Sequence, residues 1–139
     1  MKKLSYKIRW FDYPDLVPAS IEARIKPYLV RSDGSPYYTC PAIIGDATGV
    51  SMNDSFKIAQ YFDKQYPDTP KALPEGTDGL QSMFEEQFIE VLFPVWTLVP
   101  KVPGFLSEIS GKYFYDTRSA FLGRPLEQLP VDPEERKEL

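Results

Sequence analysis

The sequence contains no histidine and only one cysteine, and each absence excludes a class of chemistry. Without histidine, Ser-His-Asp and Cys-His catalysis are impossible and the commonest zinc ligand is missing, so no metal site is predicted. The single cysteine, Cys40, cannot form a disulfide within the chain, which is typical of a reducing compartment. Any chemistry must therefore use hydroxyls, carboxylates, the lone thiol, backbone groups or a bound cofactor.

Positive charge is also in deficit, because the sequence has 16 Lys and Arg residues but 20 Asp and Glu residues, and its net charge is -4. Nucleic acid is therefore not expected as a partner, because phosphate binding needs a clustered basic surface. The sequence has no apolar run of about eighteen residues or more, so no membrane contact is expected. The stretch Met1–Lys7 carries charge without an apolar segment behind it, which makes the cytoplasm the expected compartment.

Apolar residues are plentiful, at 42% of the chain, and their spacing predicts the first elements. Strict alternation of apolar and polar residues from Leu4 to Trp10 predicts a half-buried strand. The four-residue spacing of Val17, Ile21 and Ile25 predicts a short helix, with an irregular loop as the alternative.

A strand, a hairpin and a helix are predicted in the middle of the chain. Residues 37–44 have strand character, but Pro41 interrupts them and marks either an edge strand or a special peptide bond. A loop over residues 45–49 leads into a short return strand, 50–52. Three consecutive N-cap residues, 53–55, then predict the start of a helix.

The last part of the sequence has a helical pattern. Residues 67–79 are rich in proline and glycine and predict a domain boundary. The apolar stripe over residues 80–99 predicts a long helix that Pro94 kinks. Further helices are predicted over residues 113–122 and from residues 132–135 onward.

The residues that point to a ligand are the pairs Cys40–Pro41 and Asp54–Ser55, on either side of the predicted hairpin. A cis bond before Pro41 would leave the N–H and C=O of Cys40 free to pair with a peptide. The helix start at Ser55 attracts a carboxylate, and Asp54 can accept from an ammonium group. Glutathione combines a peptide middle with an amino-acid head and fits both features. The alternatives are a plain helix cap and an ordinary edge-strand proline.

These residues also resemble a known family. Cys40–Ile43 and Asp54–Asp63 resemble the glutathione-binding motif in the thioredoxin-like domain of glutathione S-transferases. Residues 10–15, 33–39 and 113–118 resemble, more narrowly, the fungal etherase-like class.

The resemblance implies a fold in two parts. Residues 1–72 are expected to form an incomplete α/β thioredoxin-like, glutathione-binding domain that lacks the first strand and helix. Residues 73–139 are expected to form the start of an all-α C-terminal domain without its last helices.

The resemblance also implies roles for single residues. The backbone of Cys40 is expected to hold the cysteinyl unit of glutathione, Pro41 to be the cis-proline, and Asp54 and Ser55 to hold the γ-glutamyl end. No residue matches the one that stabilises the glutathione thiolate in the family, so the catalytic residue stays unknown. The Cys40 side chain is predicted to be a small core hydrophobe, with a mixed disulfide as the alternative.

The function implied is that of a glutathione S-transferase-like protein. It would use glutathione as co-substrate to conjugate or cleave a hydrophobic electrophile. A homodimer is the assembly that the resemblance allows. The alternative is a non-catalytic module, truncated or degenerate, that binds glutathione or another ligand or that dimerises.

Overall fold

The computed structural model describes residues 2–129, which belong to two compact units. The first unit contains the residues up to Phe11 together with Asp15–Met83, and the second contains Asp12–Pro14 and the residues from Phe84 onward. The first unit holds every strand found among residues 2–129, so the predicted order of an α/β portion followed by a helical portion is found. The boundary between residues 72 and 73 stays a prediction, and the helix predicted from residues 132–135 lies outside the described residues.

The first unit is built from two small sheets and two helices. Its elements are helix α1 (Leu16–Glu22), strands β1 (Leu29–Val30), β2 (Pro36–Tyr37), β3 (Ala42–Gly45) and β4 (Val50–Asn53), and helix α2 (Ser55–Gln65). β1 pairs with β2 and β3 pairs with β4, both antiparallel, as two separate sheets. The predicted short helix, the return strand and the helix that starts at Ser55 are therefore confirmed.

The turn between β1 and β2 follows from its sequence. The backbone N–H of Ser35 donates to the carboxylate of Asp33 at 2.8 Å, and Gly34 adopts a φ of +82°. Glycine adopts such an angle at no steric cost, and a short Asp side chain can bond the backbone two residues on. β1 itself was not predicted, although the run Tyr28–Val30 directly before this turn has strand character.

The predicted strand over Leu4–Trp10 is wrong. Residues 2–10 have no regular secondary structure, and the side chains of Tyr6 and Trp10 are 79% and 85% exposed. A strand needs a neighbour to pair its N–H and C=O groups, and no described residue pairs with this segment. The alternation of apolar and polar residues over Leu4–Trp10 is therefore not enough to form a strand, because no neighbouring strand among residues 2–129 pairs with this segment.

The predicted strand over residues 37–44 is divided into two. β2 ends at Tyr37 and β3 begins at Ala42, with Pro41 in the break between them. Proline has no N–H to give to a sheet, so the break falls where a ladder hydrogen bond cannot form. Tyr38, in the same break, is one of the buried apolar residues of the first unit, as are Ile25 and Ile58.

Helix α3 (Asp78–Val91) ends earlier than the predicted helix over residues 80–99. A 3-10 helix, Phe93–Phe105, follows it instead of a kinked continuation. Three prolines of this segment, Pro94, Pro100 and Pro103, lack the N–H that an α-helix requires, so the α-helical ladder stops before them. No helix among residues 2–129 has the length and apolar character that crossing a membrane would require.

The second unit is organised around helix α4 (Glu108–Leu122), which contains the helix predicted over residues 113–122. Gly123 closes it with a φ of +67°, and the N–H groups of Gly123 and Arg124 bond carbonyl groups of the last turn. The buried core of this unit consists of Phe114 from α4 together with Leu126 and Leu129 from the segment after it.

Candidate functional site

The β3–β4 hairpin brings the two predicted pairs of site residues to one end of a sheet. The first residue of β3 lies opposite the last residue of β4 in the antiparallel register. Cys40 and Pro41 directly precede β3, whereas Asp54 directly follows β4 and Ser55 begins α2. The start of one antiparallel strand adjoins the end of its partner. Both pairs therefore lie at the end of the hairpin opposite its loop, which is called the hairpin edge from here on.

On the β3 side, the Cys40–Pro41 peptide bond is cis, as the family resemblance implied. The backbone N–H and C=O of Cys40 make no hydrogen bond with residues 2–129. The Cys40 side chain is exposed, so the prediction of a small core residue is wrong, because this residue lies at the edge of the hairpin. The surrounding chain still desolvates its sulfur and raises the pKa of the thiol, which favours the protonated form at neutral pH.

On the β4 side, Asp54 caps helix α2. Its carboxylate oxygen Oδ1 accepts the backbone N–H groups of Phe56 and Lys57, at 3.1 and 3.3 Å. Asp54 has a φ of +79°, an uncommon value for a residue other than glycine, and it links strand and helix within one residue. The helix-cap interpretation of Asp54 is thus confirmed, and it leaves the second carboxylate oxygen, Oδ2, outside the cap.

Ser55 keeps its polar groups available. Its side chain is exposed, and neither its hydroxyl nor its backbone N–H makes a hydrogen bond with the described part of the chain. Two of the other N–H groups of the first turn bond Asp54 Oδ1, and the N–H of Ile58 bonds the carbonyl oxygen of Asp54. A carboxylate at this helix start would therefore find its donors at Ser55 alone, rather than along the whole first turn as the sequence suggested.

Lys57 is a further residue at this site, and it was not predicted from the sequence. Its ammonium lies 3.1 Å from Asp54 Oδ2 and 5.7 Å from the centre of the Tyr28 ring. The spacing of Asp54 and Lys57, three residues apart on a predicted helix, was the signal that could have found this pair. The lysine gives the site a cation beside its carboxylate.

Tyr28 is held in place by the β1–β2 hairpin. Its backbone N–H donates to the carbonyl oxygen of Tyr37 at 2.7 Å, and the two rings meet edge to face with centroids 6.5 Å apart. The guanidinium of Arg31 covers the Tyr37 ring at 4.5 Å. From Asp54 to this hairpin, four side chains therefore contact one another in turn, as two aromatic rings with a cation at each end of the row. They are Lys57, Tyr28, Tyr37 and Arg31.

A cavity in the first unit lies beside the later turns of α2, not at its start. It has a volume of about 360 Å³ and is lined by Gln60, Asp63, Lys64, Lys71, Leu73, Glu75, Gly76 and Asp78. None of the four predicted site residues lines this cavity.

Known proteins are similar to this chain both in its second half and over nearly its whole length. Residues 79–139 match the family model of the glutathione S-transferase C-terminal domain. The glutathione S-transferase-like protein ustS of Aspergillus flavus is 29% identical over 142 aligned positions, which cover 96% of this chain and 50% of that protein.

Solved structures resemble the chain over almost its whole length. A glutathione S-transferase of Ceriporiopsis subvermispora, CsGST63524, crystallised in complex with glutathione, is 35% identical with a TM-score of 0.87. Glutathione transferase GSTFuA2 from Phanerochaete chrysosporium is also 35% identical, with a TM-score of 0.90. Each alignment covers 99% of this chain and 55% of the other, so the chain spans about half the length of these relatives.

The fold is thus a partial thioredoxin-like α/β portion followed by the beginning of a helical portion, as predicted. Together these matches support membership of the glutathione S-transferase superfamily.

Proposed function

We propose that this chain binds glutathione at the edge formed by Cys40, Pro41, Asp54 and Ser55. The observation that carries the proposal is the β3–β4 register, which brings free peptide groups next to a carboxylate and a helix start. Two similar proteins of Ceriporiopsis subvermispora, each 35% identical to this chain, were crystallised with glutathione, which supports the same ligand here.

Each part of glutathione has a matching group at this edge. The free N–H and C=O of Cys40 can pair with the cysteinyl unit in the manner of a short added strand. The N–H and hydroxyl of Ser55 can donate to the α-carboxylate of the γ-glutamyl unit, at the positive end of α2. Asp54 Oδ2 can accept from the α-ammonium, because Oδ1 is already bonded within the helix cap.

The proposed use of bound glutathione is conjugation to a hydrophobic electrophile or cleavage of an ether by the same thiol, as in the fungal etherase-like class. The group that stabilises the glutathione thiolate is not assigned. The Cys40 thiol does not supply an activated nucleophile, since its pKa is raised. We place this activity in the cytoplasm, the compartment that the sequence predicts.

Calorimetric titration with glutathione tests the binding site. Asp54→Asn keeps an oxygen for the helix cap but removes the negative charge, and it should weaken binding about tenfold or more, given ~1.5–3 kcal/mol for a hydrogen bond to a charged group. Ser55→Ala should weaken binding by about three- to tenfold. Asp46→Asn is the matched control, because Asp46 is exposed in the loop at the opposite end of the same hairpin. Equal affinity in all four proteins would reject the site.

A second candidate is a binding or dimerisation module without catalysis, and one observation favours it. Helix α3 exposes large apolar side chains, namely Leu80, Met83, Phe84, Phe88, Ile89 and Val91. Exposed apolar side chains grouped on one helix are typical of an interaction surface. Turnover of glutathione with a chlorinated aromatic electrophile above the uncatalysed rate would support the enzyme. Sedimentation equilibrium showing a dimer, together with no turnover, would support the module.

A further inference from the structure

We propose that Lys57 determines how strongly the site prefers ligands that carry an α-ammonium, because its own ammonium competes for Asp54 Oδ2. The inference rests on the proposed function, since it concerns the same glutathione site. It assigns to Lys57 a role in selecting among γ-glutamyl-type ligands.

The competition follows from how the two oxygens of Asp54 are used. Oδ1 accepts two backbone N–H groups of the first turn of α2 and is committed to the helix cap. Oδ2 is the oxygen that remains for an ammonium group, and the Lys57 ammonium already lies 3.1 Å from it. A ligand ammonium that approaches Oδ2 must therefore share this oxygen with Lys57 or displace it.

Displacement is easy because the ion pair is weakly held. The Lys57 side chain is 63% exposed, so water screens its attraction to Asp54. A lysine side chain is flexible and carries a compact charge, so it leaves a partner without moving the backbone. The Asp54 carboxylate, in contrast, is fixed by the cap.

Tyr28 offers the displaced lysine a second contact. The Lys57 ammonium already lies 5.7 Å from the centre of the Tyr28 ring, within the range of a cation–aromatic attraction. The hairpin holds this ring through the Tyr28–Tyr37 backbone hydrogen bond. Lys57 thus sits between two partners, and a ligand ammonium shifts it from the carboxylate toward the ring.

The test compares glutathione with its des-amino analogue, glutaryl-cysteinyl-glycine, in calorimetric titrations of the full chain. The ratio of the two dissociation constants reports the preference for the α-ammonium. Because the two ligands differ by one charge, a control variant must show how far the loss of a positive charge alone changes this ratio. Lys57→Met should raise this preference by about two- to fivefold over wild type, the size expected for removing an exposed competing ion pair. Lys57→Gln gives an independent variant with the same expected direction.

Lys64→Met is the matched control, because Lys64 is exposed on the same helix and its loss changes the net charge equally. Its preference ratio should equal that of wild type. An unchanged or lower ratio in both Lys57 variants would overturn the inference. If wild type binds glutathione and Asp54→Asn weakens that binding about tenfold or more while both Lys57 variants keep the wild-type ratio, only this inference fails. If wild type binds neither ligand, the proposed function fails and this inference is overturned with it.

Discussion

The ammonium of Lys2 lies 2.6 Å from a carboxylate oxygen of Asp63, and each side chain exposes only about a tenth of its surface. Asp63 also accepts the backbone N–H groups of Ala72 and Leu73, at 2.8 to 3.0 Å. Lys2 donates in addition to the hydroxyl of Thr69 at 2.9 Å. One carboxylate near the end of α2 therefore holds both the start of the chain and the segment that follows the helix.

This arrangement predicts that Asp63→Asn lowers the melting temperature at pH 7 by several degrees. Hydrogen bonds from Lys2 and from the N–H groups of Ala72 and Leu73 hold the pKa of Asp63 well below its ordinary value of 3.8. Because the pKa of Asp63 is lower in the folded protein than in the unfolded chain, the ionised carboxylate stabilises the fold, and it does so fully at a pH above the ordinary pKa. This stabilisation is lost as the pH falls toward the pKa of the folded protein. The gap between wild type and Asp63→Asn should therefore narrow as the pH drops below about 4.

Thermal unfolding followed by circular dichroism from pH 7 down to about pH 2 measures this gap. Asp68→Asn serves as the control, because Asp68 is exposed in the segment after α2, and it should melt within about a degree of wild type. Equal melting temperatures of wild type and Asp63→Asn at pH 7 would contradict the role of this carboxylate.

The cap of α2 predicts a separation between stability and binding at Asp54. Asp54→Ala removes the oxygen that accepts two N–H groups and should cost about 0.5–2 kcal/mol in urea-induced unfolding. Asp54→Asn keeps an accepting oxygen, so its cost should stay below about 0.5 kcal/mol although it loses affinity for glutathione. An Asp54→Asn protein as unstable as Asp54→Ala would show that charge, rather than the cap oxygen, stabilises this helix start.

Local chemistry made part of the fold predictable. Asp54 and Ser55 have the residue types of a helix start, and Gly123 has the type of a helix end, so the start of α2 and the end of α4 followed from single positions. The hairpin between β3 and β4 was predictable as well, and with it the approach of Cys40–Pro41 to Asp54–Ser55.

The errors at Leu4–Trp10 and at Cys40 share one cause, which is that a local pattern does not report which residues a segment will contact. The alternation over Leu4–Trp10 is that of a strand, yet no described residue pairs with it. Cys40 has the character of a core residue but lies exposed at the hairpin edge. The ion pair of Lys2 with Asp63 joins positions far apart in sequence, and no local spacing could have indicated it.

The core of the second unit predicts a large effect of Leu126. Its side chain is 1% exposed and packs with Phe114 and Leu129, so Leu126→Ala should cost about 2–5 kcal/mol through lost burial and the cavity left behind. Leu80→Ala is the matched substitution on the surface, since Leu80 is 70% exposed, and it should stay within about 0.5 kcal/mol of wild type. Urea unfolding measures both, and similar costs for the two variants would contradict this packing.

The start of α4 predicts that Ser107 sets the pKa of Asp12. The Ser107 hydroxyl accepts the N–H of Ser110 at 3.2 Å as the helix cap and donates to the carboxylate of Asp12. The Ser110 hydroxyl also donates to this carboxylate, at 2.6 Å. These two bonds, that of Ser107 foremost, hold the pKa of Asp12 below its ordinary value of 3.8.

Ser107→Ala should therefore raise the pKa of Asp12 toward its ordinary value and, through the lost cap, cost about 0.5–2 kcal/mol of stability. Ser107→Thr keeps a hydroxyl at the cap and should restore both quantities, which separates hydrogen bonding from a general loss of packing. Titration of the Asp12 carboxyl carbon by NMR gives the pKa in each protein. The bond is refuted if Ser107→Ala leaves that pKa at the wild-type value. Because an ionised Asp12 accepts these bonds better than a protonated one, stability from this contact should decline as the pH falls through the pKa of the folded protein.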